Sequence, residues 1–338
     1  MSDPGWAVDG SNDPLAAVPS IGADAGRRRR LLRLAGSDGI VAGIALDHRD
    51  SLRVVLARQG LAELGDAGIR AQKLALARAL APAATAVMLD AEFGRDALET
   101  GAVPAGVGLI MPLEAQGYEA ADVQRASLLD DFSPLTAATW GADACKLLLP
   151  YRVDDEVTST HHDALVRFAV RDCHRLGLPL IVEPLVNRRP TDSPSTWAAA
   201  YPGLVAGAVE RLRPLGVDLL KLPFPATADT PPTSAPARAA CDALARVCAD
   251  TPWVVLGAGV DLATLIEQIR TAGMAGACGF LVGRSIWGGL LRAEPAATEA
   301  LARTTGRVDF TQVRTVGAAA CQVLAPVAGP DRSTGAAS

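Results

Sequence analysis

Eight short, nearly uninterrupted apolar runs, separated by longer amphipathic stretches, constrain this chain more than any other property. The runs are GIVAGIALD (39–47), ATAVMLD (84–90), GVGLIMP (106–112), ADACKLLLP (142–150), PLIVEPL (179–185), VDLLKLP (217–223), PWVVLGAG (252–259) and ACGFLVG (277–283). A strand with one wet face alternates polar and apolar residues, whereas a strand covered on both faces does not, so these runs read as buried strands of a parallel sheet. Between them, LALARALA, EVTSTHHDALVRFAVRDCHRLG and PARAACDALARVCAD repeat apolar residues at i, i+3 and i+4, the spacing of a helix with one buried face. The link between the second and third runs has the weakest helical pattern. Eight strands alternating with helices predict an α/β fold, a single (β/α)8 TIM barrel rather than an open doubly wound sheet. No GxGxxG or Walker element opens a helix after the first strand, so the dinucleotide-binding fingerprint is missing.

The barrel is expected over residues 22–325, entered through an N-terminal helix on which Arg27 to Arg30 precede Leu31, Leu32 and Leu34 as a solvated face. Residues 1–21, rich in Gly, Pro, Ala and Asp, and the small polar residues 326–338 read as flexible tails. With 49% hydrophobic residues, the chain has material for a large core. Its net charge of −5 argues against a nucleic-acid partner. The six cysteines form no CxxC pair, and no run is long enough to span a bilayer, so a cytoplasmic protein without a membrane partner is expected.

In a barrel, catalytic groups sit where strands end at the C-terminal rim, so charges that close apolar runs are the informative ones. Run one ends in Asp47, His48 and Arg49, run two in Asp90, and run eight leads into Arg284; runs four, five and six carry Lys146, Glu183 and Lys221. Burying lone charges is costly unless they pair, and opposite charges converging from neighbouring strands offset that cost. Period-2 alternation groups Ala144 and Leu148 with Lys146, Ile181 with Glu183, and Leu219 with Lys221 as interior positions, and turns Cys145 toward the helices.

A lysine attacks a carbonyl only as the neutral amine, so its pKa must fall from about 10.4 toward roughly 7 or 8. For Lys221, Leu219, Leu222 and Pro223 are the expected apolar walls and Lys146 the expected neighbouring cation. Glu183, between the two lysines, or Asp47 across the barrel, is placed to move protons. Of four histidines, His161, His162 and His174 fall on one predicted helix, which disfavours a zinc site and leaves an oxygen-ligated Mg²⁺ on Asp47, Asp90 and Glu183 as the open metal alternative. Gly257, Ala258 and Gly259 after run seven, with Gly283, Arg284 and Ser285 after run eight, fit an anion site: glycines admit close backbone approach and Arg284 adds charge-assisted bonds.

Taken in order, ALDHR (45–49), PAATAVMLDAEFG (82–94), ADACKLLLPYRVDDE (142–156), IVEPLV (181–186), GVDLLK (216–221), PWVVLGAGVD (252–261) and GFLVGRSIW (279–287) resemble the class I aldolases related to tagatose 1,6-bisphosphate aldolase and sulfofructose-phosphate aldolase. That resemblance implies a cofactor-free lyase: Lys221 forms the Schiff base, Glu183 and Lys146 are its partners, Asp47 meets the substrate, and the GAG and GRS loops hold the anion of a phosphorylated or sulfonated ketose. His48, Pro223, Gly257 and Ala258 depart from that family's pattern, and Arg188 with Arg189 resemble a basic segment of the sulfosugar enzymes. Two other readings stay open: a barrel lyase or isomerase using Lys221 as a non-covalent base, and a non-catalytic sugar-phosphate binder. A homo-oligomer is compatible with either.

Overall fold

The eight runs form eight parallel strands in a computed structural model that describes residues 23–115 and 125–324. They are β1 (Val41–Ala45), β2 (Ala86–Met88), β3 (Gly108–Pro112), β4 (Ala144–Pro150), β5 (Leu180–Leu185), β6 (Leu219–Leu222), β7 (Trp253–Leu256) and β8 (Gly279–Val282). Each pairs with the next, and β8 closes onto β1, giving a barrel in sequence order. This is the expected TIM barrel. The tails assigned to 1–21 and 326–338 lie outside the described residues.

Alternation sorts the strand residues into two cores. Val41, Ala45, Ala86, Met88, Ile110, Ala144, Ile181, Leu219, Val254 and Leu281 fill the barrel, while Cys145, Leu147, Val182, Leu220, Leu222 and Val255 join the larger layer beneath the helices. Cys145 therefore faces outward as expected, and so does Leu222, which was expected beside Lys221. Gly43 has no room for a side chain: a Cβ there would lie 2.1 Å from Leu281 Cδ2. The layer needs one small residue to admit one large one.

The surrounding helices are α1 (Ala23–Ala35), α2 (Asp50–Arg58), α3 (Gly65–Leu80), α4 (Arg95–Glu99), α5 (Pro134–Thr139), α6 (Glu156–Arg175), α7 (Pro194–Leu212), α8 (Ala235–Cys248), α9 (Leu262–Met274), α10 (Arg284–Trp287), α11 (Pro295–Leu301) and α12 (Arg307–Ala320). Sequence chemistry starts several of them. Ser133, Asp155, Ser193, Ser234 and Asp261 each accept the N–H three residues on, with proline in the first turn after all three serines. Each such cap is worth about 1 kcal/mol. The weak pattern after β2 corresponds to the five-residue α4.

The N-terminal helix α1 closes the bottom of the barrel: Leu31, Leu34 and Ala35 are buried in the same cluster as the barrel interior. Its basic run is only partly the solvated face expected, because Arg27 pairs with Asp218 at 3.2 Å and Arg30 donates to the Gly177 carbonyl at 2.7 Å. Those bonds seat the plug. The opposite end, where the strands finish, stays open. None of the described helices is long and apolar enough to cross a membrane.

Candidate active site

At the open end, the alternation that buries apolar residues deeper in the barrel brings charged ones inward. The pocket, about 270 Å³, is lined by Ala45 and Asp47 of the β1 end, Lys146 and Leu148 of β4, Glu183 and Leu185 of β5, Lys221 and Pro223 of the β6 end, and Leu281 and Gly283 of the β8 end. Along each strand the two residues are one pleat apart. Lys146, Glu183 and Lys221 therefore converge, as their positions on adjacent strands predict.

Glu183 joins the two lysines. Its Oε1 lies 2.8 Å from Lys221 Nζ, and its Oε2 lies 3.0 Å from Lys146 Nζ. Lys146 directs its hydrogen bonds elsewhere, to Asp47 Oδ2 at 3.0 Å and Glu114 Oε1 at 2.7 Å. The Glu183 contact is consequently an ion pair without hydrogen-bond geometry, and Oε2 is a buried acceptor with no hydrogen-bond donor among the described residues. An acceptor left in that state is available to a substrate hydroxyl.

The electrostatics follow from this packing. Burial alone disfavours the Lys146 ammonium, but Asp47, Glu114 and Glu183 overcome it and hold its pKa well above the ordinary lysine value. Burial likewise pushes the Asp47 and Glu183 carboxyls up, and the two lysines reverse this, leaving both below the usual carboxylate range. Glu114 is different: burial prevails over Lys146 and raises it. Burial drives His48 down to about 3, so its imidazole is neutral at working pH. That ring packs edge-on against Trp287, 5.1 Å between centroids, at the pocket wall.

The β7 and β8 ends supply the rest of the rim. Gly257, Ala258, Gly259, Gly283 and Arg284 all line the pocket. Ala258 has φ +45°, a left-handed conformation unusual for a residue with a Cβ, and such strain is retained chiefly where the surroundings dictate it. Gly283 must be glycine, since a Cβ would fall 2.7 Å from both the Ala45 carbonyl and His48 Cε1.

The sequence pattern that describes the DeoC/LacD family aldolases matches residues 43–289. The chain belongs to that family. It is an enzyme, a carbon–carbon lyase. Tagatose 1,6-diphosphate aldolase 2 of Enterococcus faecalis is 30% identical over 316 residues, covering 87% of this chain and 94% of the relative. Tagatose 1,6-diphosphate aldolase of Listeria monocytogenes serotype 4a is 30% identical over 274 residues, 76% of this chain and 80% of the relative. Among solved structures, a Schiff-base-forming fructose-1,6-bisphosphate aldolase superposes with a TM-score of 0.55 at 19% identity, over 82% of this chain and 99% of that one. A fructose-bisphosphate aldolase from Slackia heliotrinireducens superposes with a TM-score of 0.59 at 18% identity, over 89% and 93%. These two likenesses concern the fold.

Not every expected residue reaches the pocket of this aldolase. Asp90 is fully buried away from it, ion-paired with Lys73 of α3 and accepting the Phe93 N–H at 2.8 Å. The reason is local: β2 ends at Met88 and the chain turns, so the alternation that would point Asp90 inward stops before it. The Mg²⁺ set of Asp47, Asp90 and Glu183 is therefore not assembled. Arg49 lies outside the lining and donates to the Glu114 carbonyl at 2.6 Å, while Ser285 Oγ donates to the Gly257 carbonyl at 3.0 Å, joining the two loops. Glu114 is the residue that sequence reasoning missed. It follows the third run by two positions, on the inward phase of Ile110 and Pro112, and applying the strand-end rule two residues further would have found it.

Asp90 supplies a direct check of its structural role. Asp90→Asn should lower stability by roughly 3–5 kcal/mol, the scale for breaking a buried ion pair, while KM stays near wild type. A raised KM with an unchanged melting temperature would return Asp90 to the pocket.

Proposed function

We propose that this enzyme is a class I aldolase that cleaves or forms a phosphorylated ketose through a Schiff base on Lys221, with no metal or cofactor in the reaction. One observation carries the reading: Lys221 is held at 2.8 Å by a carboxylate whose other oxygen, ion-paired with Lys146, accepts no hydrogen bond among the described residues and lies beside the pocket. That arrangement supports two proton transfers by one group. Glu183 Oε1 takes a proton from Lys221, freeing the amine to add to the ketone carbon. The carbinolamine oxygen then leaves as water with a proton returned by the same carboxyl group, giving the iminium ion.

The carbon–carbon bond breaks when the hydroxyl beyond it gives up its proton and the bonding pair moves into the iminium to form an enamine. Glu183 Oε2 is available for that proton, and Asp47 is the alternative. An aldehyde departs, the enamine carbon takes a proton, and water hydrolyses the imine to release a dihydroxyacetone-phosphate-like ketone. Lys146 keeps Asp47 and Glu183 ionised and therefore ready to accept. Arg284 and the loops 257–259 and 283–285 hold the anion, a phosphate or sulfonate, by charge and backbone N–H groups. A cytoplasmic location is part of the same reading, supported by six cysteines that all remain free thiols.

Borohydride tests the covalent step. Reduction in the presence of dihydroxyacetone phosphate should add one ketone-derived mass to Lys221, and the site is easily read because Lys73, Lys146 and Lys221 are the only lysines in the chain. A label on Lys73 or Lys146 would refute the assignment.

A further inference from the structure

We infer that the substrate carries one anionic group, on the ketone fragment, and that the aldehyde released is uncharged. This rests on the aldolase reading and narrows its substrate class from any phosphorylated ketose to one without a second phosphate or sulfonate at the far end.

The barrel order separates the two ends of the pocket, because the β4–β5 rim stands across from the β8–β1 rim. At the β8 side lies Arg284, exposed, with no acid paired to its guanidinium among the described residues. At the other side the wall is Leu148, Leu185, Val186, Asn187 and Tyr201, which offers apolar surface, an amide and a phenol. Burial pushes the Tyr201 phenol up to about 12, so it brings no charge.

Three arginines around that side are already engaged. Arg152 is bound by Asp192 at 2.7 Å and Asp154 at 2.8 Å, and Arg189 by Asp154 at 3.0 Å. Arg188 folds back so that Nε and Nη2 both donate to the Asp192 carbonyl, at 3.0 and 2.7 Å. In the pocket floor, Lys146 already faces three carboxylates. Residues 116–124, outside the described set, contain no lysine or arginine in their sequence. A terminal phosphate entering the β4–β5 side would exchange its water for a neutral wall, an unfavourable transfer that a hydroxyl or methyl terminus avoids.

Condensation measures this directly. With dihydroxyacetone phosphate as donor, kcat/KM for glyceraldehyde should exceed that for glyceraldehyde 3-phosphate by about tenfold or more, since a site lacking partners rejects a charged group strongly. Asn187→Arg, which adds a cation to this wall, should shift the ratio toward the phosphorylated aldehyde by about fivefold or more. As an independent binding measure, hexitol 1-phosphate should protect Lys221 from dihydroxyacetone phosphate and borohydride at least as well as hexitol 1,6-bisphosphate does. Preference for the phosphorylated aldehyde, or clearly stronger protection by the bisphosphate, overturns the inference. Loss of that preference in Arg188→Ala would locate the second phosphate on Arg188. If Lys221 is labelled, such results remove only this inference; if it is not labelled and nothing turns over, the aldolase reading falls and takes the inference with it.

Discussion

Lys221→Met should lose turnover by roughly 10⁴-fold or more: in the proposed mechanism Lys221 is the covalent nucleophile, and Lys146, the other lysine lining the pocket, is held as an ammonium by three carboxylates. The fold should survive. Methionine approximates the lysine stem in length and volume, and Glu183 keeps its second cation, Lys146, at 3.0 Å. The variant's melting temperature should therefore stay within a few degrees of wild type, and borohydride should no longer attach the ketone. Lys221→Arg separates covalent from non-covalent chemistry. Arginine retains the positive charge and cannot form the imine, so it should be as inactive as methionine. Retained turnover in Lys221→Arg would mean that this position acts without bonding to substrate.

Lys146→Met should produce the largest loss of stability. Three buried carboxylates, Asp47, Glu114 and Glu183, lie within 3.0 Å of the Lys146 ammonium. Removing it leaves them facing one another with Lys221 as the remaining lysine nearby. Breaking one buried pair costs about 3–5 kcal/mol, and here one deletion breaks three contacts, so a fall in melting temperature on the order of 10 °C is expected at neutral pH.

The pH dependence of that loss has a definite sign. In the wild type, Asp47 and Glu183 have depressed pKa values, so their contribution to stability is present above the unfolded carboxylate range and disappears as pH falls through their folded values. Lys146 has a raised pKa, so its contribution is complete below the unfolded lysine value and fades only as pH rises through its folded value. Both contributions are intact at pH 8. In Lys146→Met, burial governs the carboxyls and raises them, so protonation on acidification relieves the variant. The gap in melting temperature between wild type and variant should be widest near pH 8 and narrower near pH 5. Thermal melts at the two pH values check this, and a gap that widens on acidification would contradict the pairing.

Much of this site was legible because a strand's two-residue period leaves little freedom. Once Lys146, Glu183 and Lys221 were placed on neighbouring buried strands, Ala144, Ile181 and Leu219 had to be their inward companions, and they are. The same rule misled where its premise ended. Asp90 lies beyond the last paired residue of β2, and the turn that follows hands it to Lys73. Leu222 lies one residue after Lys221 and so faces the helices rather than the pocket. The role of Lys146 was the least accessible from sequence. Expected as the cation beside Lys221 with Glu183 between them, it is enclosed by three carboxylates, one of which, Glu114, comes from a loop residue whose approach depends on how the chain leaves β3.

The scarcity of lysine bears on what surrounds a reactive sugar fragment. All three lysines are buried, at 1%, 1% and 5% exposure, so the positive charge of the described surface is arginine. Guanidinium stays protonated and is a poor nucleophile, whereas an exposed ammonium in equilibrium with its amine condenses with aldehydes and ketones. A catalyst that handles carbonyl compounds at high local concentration is exposed to slow glycation by them. Here every lysine amine is buried, and in the proposed mechanism the imine that forms on Lys221 is an intermediate rather than damage.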